Sequence, residues 1–263
     1  MPQFVAVSRE RHAGKRWRRP DNHGFAAADP LIPTFGGELF RLAPIMPVAF
    51  VEQSGRRQLM AVLSLSPGRN MFVGPDGRWL GSYVPVFFRS YPFRLLQPDG
   101  TDESVLCVDE DSKLIVAGHE AGEDFLDAKG GPSAAVKPIV DLLTEVERSR
   151  KTTQVAVSAL FEAGVVQPWK ITLKTPGGEQ VIGGLHRIDE AALNALEDEA
   201  FVKLRKAGAL PVAYAQILSM GQLGVFDLLA RFQTPATQPG IPKLSETIDK
   251  MLLETHNQDM VRF

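Results

Sequence analysis

The sequence predicts a segregated α+β fold: an antiparallel β-rich N-terminal half packed with a helical C-terminal half that contains one late hairpin. Three observations predict it. Between Val48 and Val108, short apolar runs alternate with Pro- and Gly-containing turns, as in an antiparallel meander. From Ala134 onward, apolar residues recur at helical spacing. Strand and helix patterns are grouped rather than interleaved, which argues against a parallel βαβ sheet. The 263 residues read as one domain without internal repeats. Within it, 1–20 form a basic N-terminal arm and 21–130 a β-rich part. Residues 131–234 are mainly helical, and 235–263 are a linker and a C-terminal helix.

Each element follows from local chemistry. Pro20, Pro30, Pro33, Pro44 and Pro47 forbid a long helix over 20–48, leaving short extended pieces such as Leu39-Phe40-Arg41-Leu42. Val48–Val51 and Gln58–Leu65 read as strands joined across Gln53-Ser54-Gly55, and Asn70–Val73 as a third. Gly74-Pro75-Asp76-Gly77 is a tight turn. Pro85 donates no ladder bond, so Tyr83–Phe88 is an edge strand, a kinked strand or a short helical turn. Arg94-Leu95-Leu96 leads into the turn Pro98-Asp99-Gly100, and Ser104–Val108 is another strand. A helix starts near Pro138 and runs to Arg150, and a second spans Gln154–Ala163 and stops at Gly164. Lys170–Leu173 and Gln180–Ile182 flank Thr175-Pro176-Gly177-Gly178 as a hairpin. Asp189 is placed to cap Glu190–Leu196, and Asp198–Ala207 is helical up to Gly208. Val212–Phe232 is a long apolar helix broken near Gly221–Gly224. Gln233–Pro242 is a linker, and Ser245 caps a last helix with Ile248, Met251 and Leu252 on one face.

Composition bounds the function. A net charge of −2 exerts no global pull on nucleic acid or anionic lipid. The run from Arg9 to Arg19 nevertheless holds six Lys/Arg in eleven positions. It reads either as a solvated arm or as arginines paired with carboxylates elsewhere, with an anion-binding patch around Trp17 as the functional alternative. The single cysteine, Cys107, excludes an intrachain disulfide and sits among apolar neighbours, where it packs as a small hydrophobe. The N-terminus has its basic run after, not before, a four-residue apolar stretch, which is not the order of a secretory leader. No apolar run of membrane-spanning length is evident. The expectation is a cytoplasmic protein with no nucleic-acid partner and no membrane insertion.

The motifs of common chemistries are missing. There is no phosphate-binding Gly-rich loop opening a helix, and no nucleophile elbow. The histidines His12, His23, His119, His186 and His256 form no His-x-x-x-His pair. His186 and Asp189 are spaced one residue too far for the His-x-Asp pair of a non-haem iron site, and Asp189 has a simpler role as a cap. Asp109-Glu110-Asp111 places three carboxylates together, so a cation, an arginine or backbone amides are expected beside them. That turn is a surface feature, a cation or acid/base site, or the partner of the basic arm. The stretch GRWLGSYVPVFFRSYPF (77–93) carries six of the 21 aromatic residues. Most of these are core. Trp79 and the two tyrosines have polar ends that suit a ligand.

The order of these motifs resembles the SapC-like family of bacterial proteins. The matching pieces are Arg9-Glu10-Arg11-His12, Pro47–Phe50, Asn70–Val73, Gly77–Pro85, Tyr91-Pro92-Phe93, Val108–Ser112, Ile188–Leu196 and Ala213–Gln222. The resemblance covers about residues 3–230 and departs from the family pattern at Met46 and His186. It implies a protein without an agreed activity, whose gene neighbours are TonB-dependent receptors, halogenase-like flavoproteins and cupin-like oxygenases. The expected role is an accessory protein of receptor uptake or peptide tailoring, with no cofactor. It would bind a peptide or protein partner through Arg11, His12, Arg78, Trp79, Tyr83, Asp109, Glu110 and Asp111. The alternatives are an iron- and 2-oxoglutarate-dependent peptide hydroxylase, which would hold iron, and a surface-layer component.

Overall fold

The computed structural model describes residues 3–98, 103–175 and 178–233. Its strands are β1 (Phe4–Ala6), β2 (Lys15–Trp17), β3 (Leu31–Pro33), β4 (Val48–Gln53), β5 (Arg56–Val62), β6 (Phe93–Leu96), β7 (Val105–Asp109), β8 (Ile115–Ala117), β9 (Glu123–Asp124), β10 (Val166–Pro168), β11 (Ile171–Thr175), β12 (Gly178–Ile182) and β13 (His186–Ile188). The helices are α1 (Arg9–His12), α2 (Leu39–Leu42), α3 (Val86–Arg89), α4 (Lys137–Glu162), α5 (Glu190–Asn194), α6 (Asp198–Lys206), α7 (Ala209–Ser219) and α8 (Val225–Ala230). Antiparallel sheets dominate the first half and helices the second, so the chain is α+β.

The central sheet has the order β10-β13-β4-β5-β3, antiparallel throughout. Ser54 and Gly55, both at positive φ, turn β4 into β5, the geometry that matches strand twist in a two-residue hairpin. The two faces of β4 are both covered. Val48 and Phe50 pack with Val157 and Leu160 of α4 and Val212 and Ala213 of α7. Ala49 and Val51 face Trp169, Ile171, Ile182 and Leu185 around the β11–β12 hairpin. This two-sided burial explains why β4 is a continuous apolar run rather than an alternating one. A second sheet, β1-β7-β6, and a third, β8-β2-β9, pack around Trp17, Phe93, Val108 and Phe125, where the N-terminal part of α4 supplies Ile139 and Leu143.

Several expectations change on contact with the structure. The basic segment 9–19 is folded in: α1 is capped by Ser8, β2 is the middle strand of its sheet, and Trp17 is buried. Asn70–Val73 is not a strand. Asn70 instead holds a loop, donating to the Ala26 carbonyl and accepting from Phe72 N–H, with a lone bridge between Val73 and Trp79. Leu39–Leu42 is helical, since its glutamate and glycine neighbours form a 3-10 turn that leads into it. Of the three readings of Tyr83–Phe88, the helical turn holds. The two helices expected over 138–163 are one, α4. Its apolar spacing lapses at Glu147–Thr152, but no Gly or Pro breaks it, and the hydroxyls of Ser149 and Thr153 accept the N–H groups of Gly37 and Gly36. Asp189 caps α5 as expected, and the break in the late apolar helix falls at the 3-10 turn Met220–Gly224. Ala209–Ala230 together are long and apolar enough to cross a membrane by length and composition, although polar residues interrupt the run in the sequence. Its buried side pins it to the central sheet, where Gln216 accepts from Ile188 N–H and donates to the Val48 carbonyl. The tips of the turns at 99–100 and 176–177, most of the linker, and the helix from Ser245 lie outside the described residues.

Candidate binding groove

The seam where three apolar clusters meet is hollow. Leu59 and Val157 belong to the cluster under the central sheet, Leu143 and Leu95 to the one around Trp17, and Phe87 to the one around Phe72. Between them runs a groove of about 160 Å³. Its floor is the middle of α4, where Leu143, Val146, Arg150, Thr153, Gln154 and Val157 recur on one helix face. Its walls come from β3, β5, α3 and β6. Gln58 of β5 contributes to the wall, with its Oε1 buried out of reach of solvent and without a hydrogen bond among the described residues. Arg94, also in the wall, lays its guanidinium 4.0 Å over the Phe87 ring. Burial pulls the pKa of Arg94 down to about 10, against the attraction of Asp29 and Asp109.

Glu38 fixes the α3 wall to β3. It is 3% exposed and accepts from Val86 N–H (2.5 Å), the Tyr83 hydroxyl (2.9 Å) and the Thr34 hydroxyl (3.2 Å). Burial raises its pKa, and those three donors oppose the rise. Tyr83 in turn accepts from the Arg89 guanidinium at 3.0 Å, and Arg41 and Arg89 lie 5.7 and 5.3 Å from the centre of its ring. Burial, then the Glu38 charge, raises the Tyr83 pKa. Glu38 went unread in the sequence because a single acid between Gly37 and Leu39 matches no motif. The available hint was a lone carboxylate entering an apolar run.

The eight residues singled out from the sequence fall into two groups, and none lines the groove. Arg78, Trp79 and Tyr83 form the first group. Arg78 is exposed and closed on Asp76 of its own turn at 2.6 Å. Trp79 stacks on Phe72 and donates from Nε1 to the Tyr83 carbonyl at 2.8 Å. The second group is Arg11, His12, Asp109, Glu110 and Asp111. Glu110 receives Arg11 in two bonds (3.0 and 2.7 Å) and Lys15 at 3.1 Å, and these hold its pKa down at about 2. The pairing of acidic turn with basic segment is thus the arrangement adopted. Asp109 points inward, accepting from Gln3 N–H, Asp111 N–H and the Tyr91 hydroxyl, while Asp111 itself is exposed. His12 is buried against Phe125; Nδ1 accepts from Ser8 N–H, Nε2 lies 3.6 Å from Glu110, and burial lowers its pKa. A relay of rings joins the groups: Trp79 to His23, His23 to Phe25, and Phe25 stacked on Tyr91 at 4.1 Å.

Other candidates have structural surroundings. Cys107 is fully buried, and its thiol is pushed up to about 11 by burial, as suits a packing residue rather than a nucleophile. His186 lies on β13 opposite Phe50, its ring 6.1 Å from Phe161. Among the described residues, no three His, Cys, Asp or Glu side chains gather as metal ligands would.

No curated protein and no solved structure matches the chain. The sequence model of the SapC family does, over residues 7–225, a span that takes in the whole groove, the Glu38 bracket and the acidic turn. This chain is a member of the SapC family.

Proposed function

We propose that the protein is a binding accessory that holds a peptide segment of a partner protein in the groove over α4. The observation that carries this is the groove itself, a preformed slot of about 160 Å³ at the seam of three apolar clusters and floored by one face of α4. The lining supports the same reading, being mainly apolar with a few polar groups, the usual make-up of a recognition site. The expected partners belong to a receptor-uptake or peptide-tailoring system, the association that the family resemblance implies.

The test is an array of overlapping 15-residue peptides from proteins encoded beside this gene, probed with the purified chain. Val146 is half-buried on the groove floor, so Val146→Phe fills the slot with little disturbance of the core. At least one peptide should bind, and Val146→Phe should weaken it about tenfold or more, equivalent to about 1.4 kcal/mol. Binding by no peptide, or equal binding by the variant, refutes the reading.

A further inference from the structure

Two sheet edges border the groove, and they are not alike. β3 ends the central sheet, and β6 ends the β1-β7-β6 sheet. On β6, three consecutive residues, Arg94, Leu95 and Leu96, all line the groove. Side chains on a strand alternate between its faces, so one cavity meets three in a row only along the strand's edge. The ladder fixes which backbone groups point there. Asp109 N–H donates to the Pro92 carbonyl, and the register sets Arg94 opposite Cys107 and Leu95 opposite Leu106. Antiparallel pairs alternate between bonded and non-bonded, so Arg94 and Leu96 bond to β7 while the Leu95 N–H and carbonyl turn away from it. Neither group has a hydrogen bond among the described residues, and Leu95 is half-buried. On β3 the residue turned outward beside the groove is Pro33, which has no N–H to offer. Of these two edges, β6 is the one left able to pair.

We infer that the peptide held in the groove adds a strand to β6, pairing through Leu95. This rests on the peptide-binding reading above, and adds to it the form of the guest: an extended segment recognised through its main chain. One residue of that segment exchanges two bonds with Leu95, N–H to carbonyl and carbonyl to N–H. Opposite residues of a pair send their side chains to the same face. That residue's side chain therefore lies beside Leu95, which packs in one cluster with Leu143 of the α4 floor. A slot of about 160 Å³ is close to the roughly 150 Å³ of an apolar cavity that takes up benzene, so it suits one aromatic or branched side chain. The main chain supplies affinity and the slot supplies selection, as in strand addition generally.

Fluorescein-labelled nonapeptides test it, with phenylalanine at the centre and random residues elsewhere. One pool is unmodified, one is N-methylated on the central phenylalanine, and one on the residue after it. Successive N–H groups of a strand point to opposite edges, so only the first methyl interrupts the pairing. Anisotropy titration of the full chain should give binding about tenfold or more weaker for the first methylated pool and within about threefold for the second. Leu95→Pro removes an N–H that the fold does not use, and proline is tolerated at such an edge position. It should weaken the unmodified pool about tenfold, and Leu95→Ala, which keeps the N–H, should weaken it less. By NMR, the Leu95 amide of the unmutated chain should exchange its hydrogen about tenfold or more slowly with the unmodified pool present. This exchange measurement decides alone where Leu95→Pro fails to fold or both methylated pools weaken together. Equal binding of all three pools, abolished by Val146→Phe, overturns strand addition and leaves the peptide reading standing. Binding of no pool, or binding that Val146→Phe leaves intact, overturns both. Binding that leaves the Leu95 amide unprotected removes β6 from the role and overturns the inference as stated.

Discussion

Glu38 has three donors converging on a carboxylate that burial would otherwise keep neutral. Removing the carboxylate strands all three. Glu38→Ala is expected to cost about 2–3 kcal/mol in urea unfolding, whereas Glu38→Gln, which keeps an acceptor, should stay within about 1 kcal/mol. The pH dependence has a definite sign. Because the folded pKa lies above the ordinary 4.5, the folded state resists ionisation, and stability contributed here declines as pH rises from 4.5 toward the folded value. Glu38→Gln removes that slope, and a wild-type-like slope in the variant would assign it to another group. The sequence could not reveal this residue. Its partners, Thr34, Tyr83 and Val86, lie up to 48 positions away, and only the fold brings them together. Cys107 was legible for the opposite reason: its immediate neighbours already made an apolar strand.

At the level of elements, the helix–sheet contact turns on one side chain. Gln216 of α7 is fully buried and bridges β13 and β4 by accepting from Ile188 N–H and donating to the Val48 carbonyl. Gln216→Leu keeps the volume, leaves the Ile188 N–H unpaired and leaves the Val48 carbonyl only the Ser219 hydroxyl at 3.5 Å, so a loss of about 3 kcal/mol is expected from the shift in urea midpoint. A loss below about 1 kcal/mol would mean that Ser219, which also reaches Val48, takes over. Elements with strong local codes were readable from the sequence: the β4–β5 hairpin with Ser-Gly at its tip, the Asp189 cap, and the break after α7. Those set by long-range pairing were not. β1, β2 and β8 are three residues each, and each exists because a distant strand completes it. The false break in α4 arose because its polar middle turns are covered by the 3-10 turn at Gly36–Glu38 and by the groove, not by an apolar core.

Across the whole molecule, the N-terminal segment is tied to β7 and its acidic turn by β1–β7 pairing and by the Glu110 cluster. Glu110 has its pKa lowered from 4.5 to about 2, so its contribution is complete above 4.5 and disappears as pH falls toward 2. Glu110→Gln should be less stable than wild type at pH 7 by about 1 kcal/mol, since Arg11 and Lys15 are half in water. Melting curves recorded from pH 7 to pH 2.5 should show the gap closing. A gap that persists in acid would mean lost packing, not lost charge. The polarity of the acidic turn and the basic run was legible from the sequence, as was the option that they meet. The groove was not, because its floor and walls are separate segments whose apolar residues look like ordinary core until three clusters fail to close over one another.

One continuous helix of 26 residues, about 39 Å long at its standard rise, supplies buried residues to the cluster around Trp17 near one end and to the central sheet near the other. It acts as a beam resting on two supports. Pinching the opening between them would lift the beam off one support or the other. The width of the cleft is therefore set when the chain folds, and under the proposed function guests are sorted by fit to a fixed gauge rather than by closure around them.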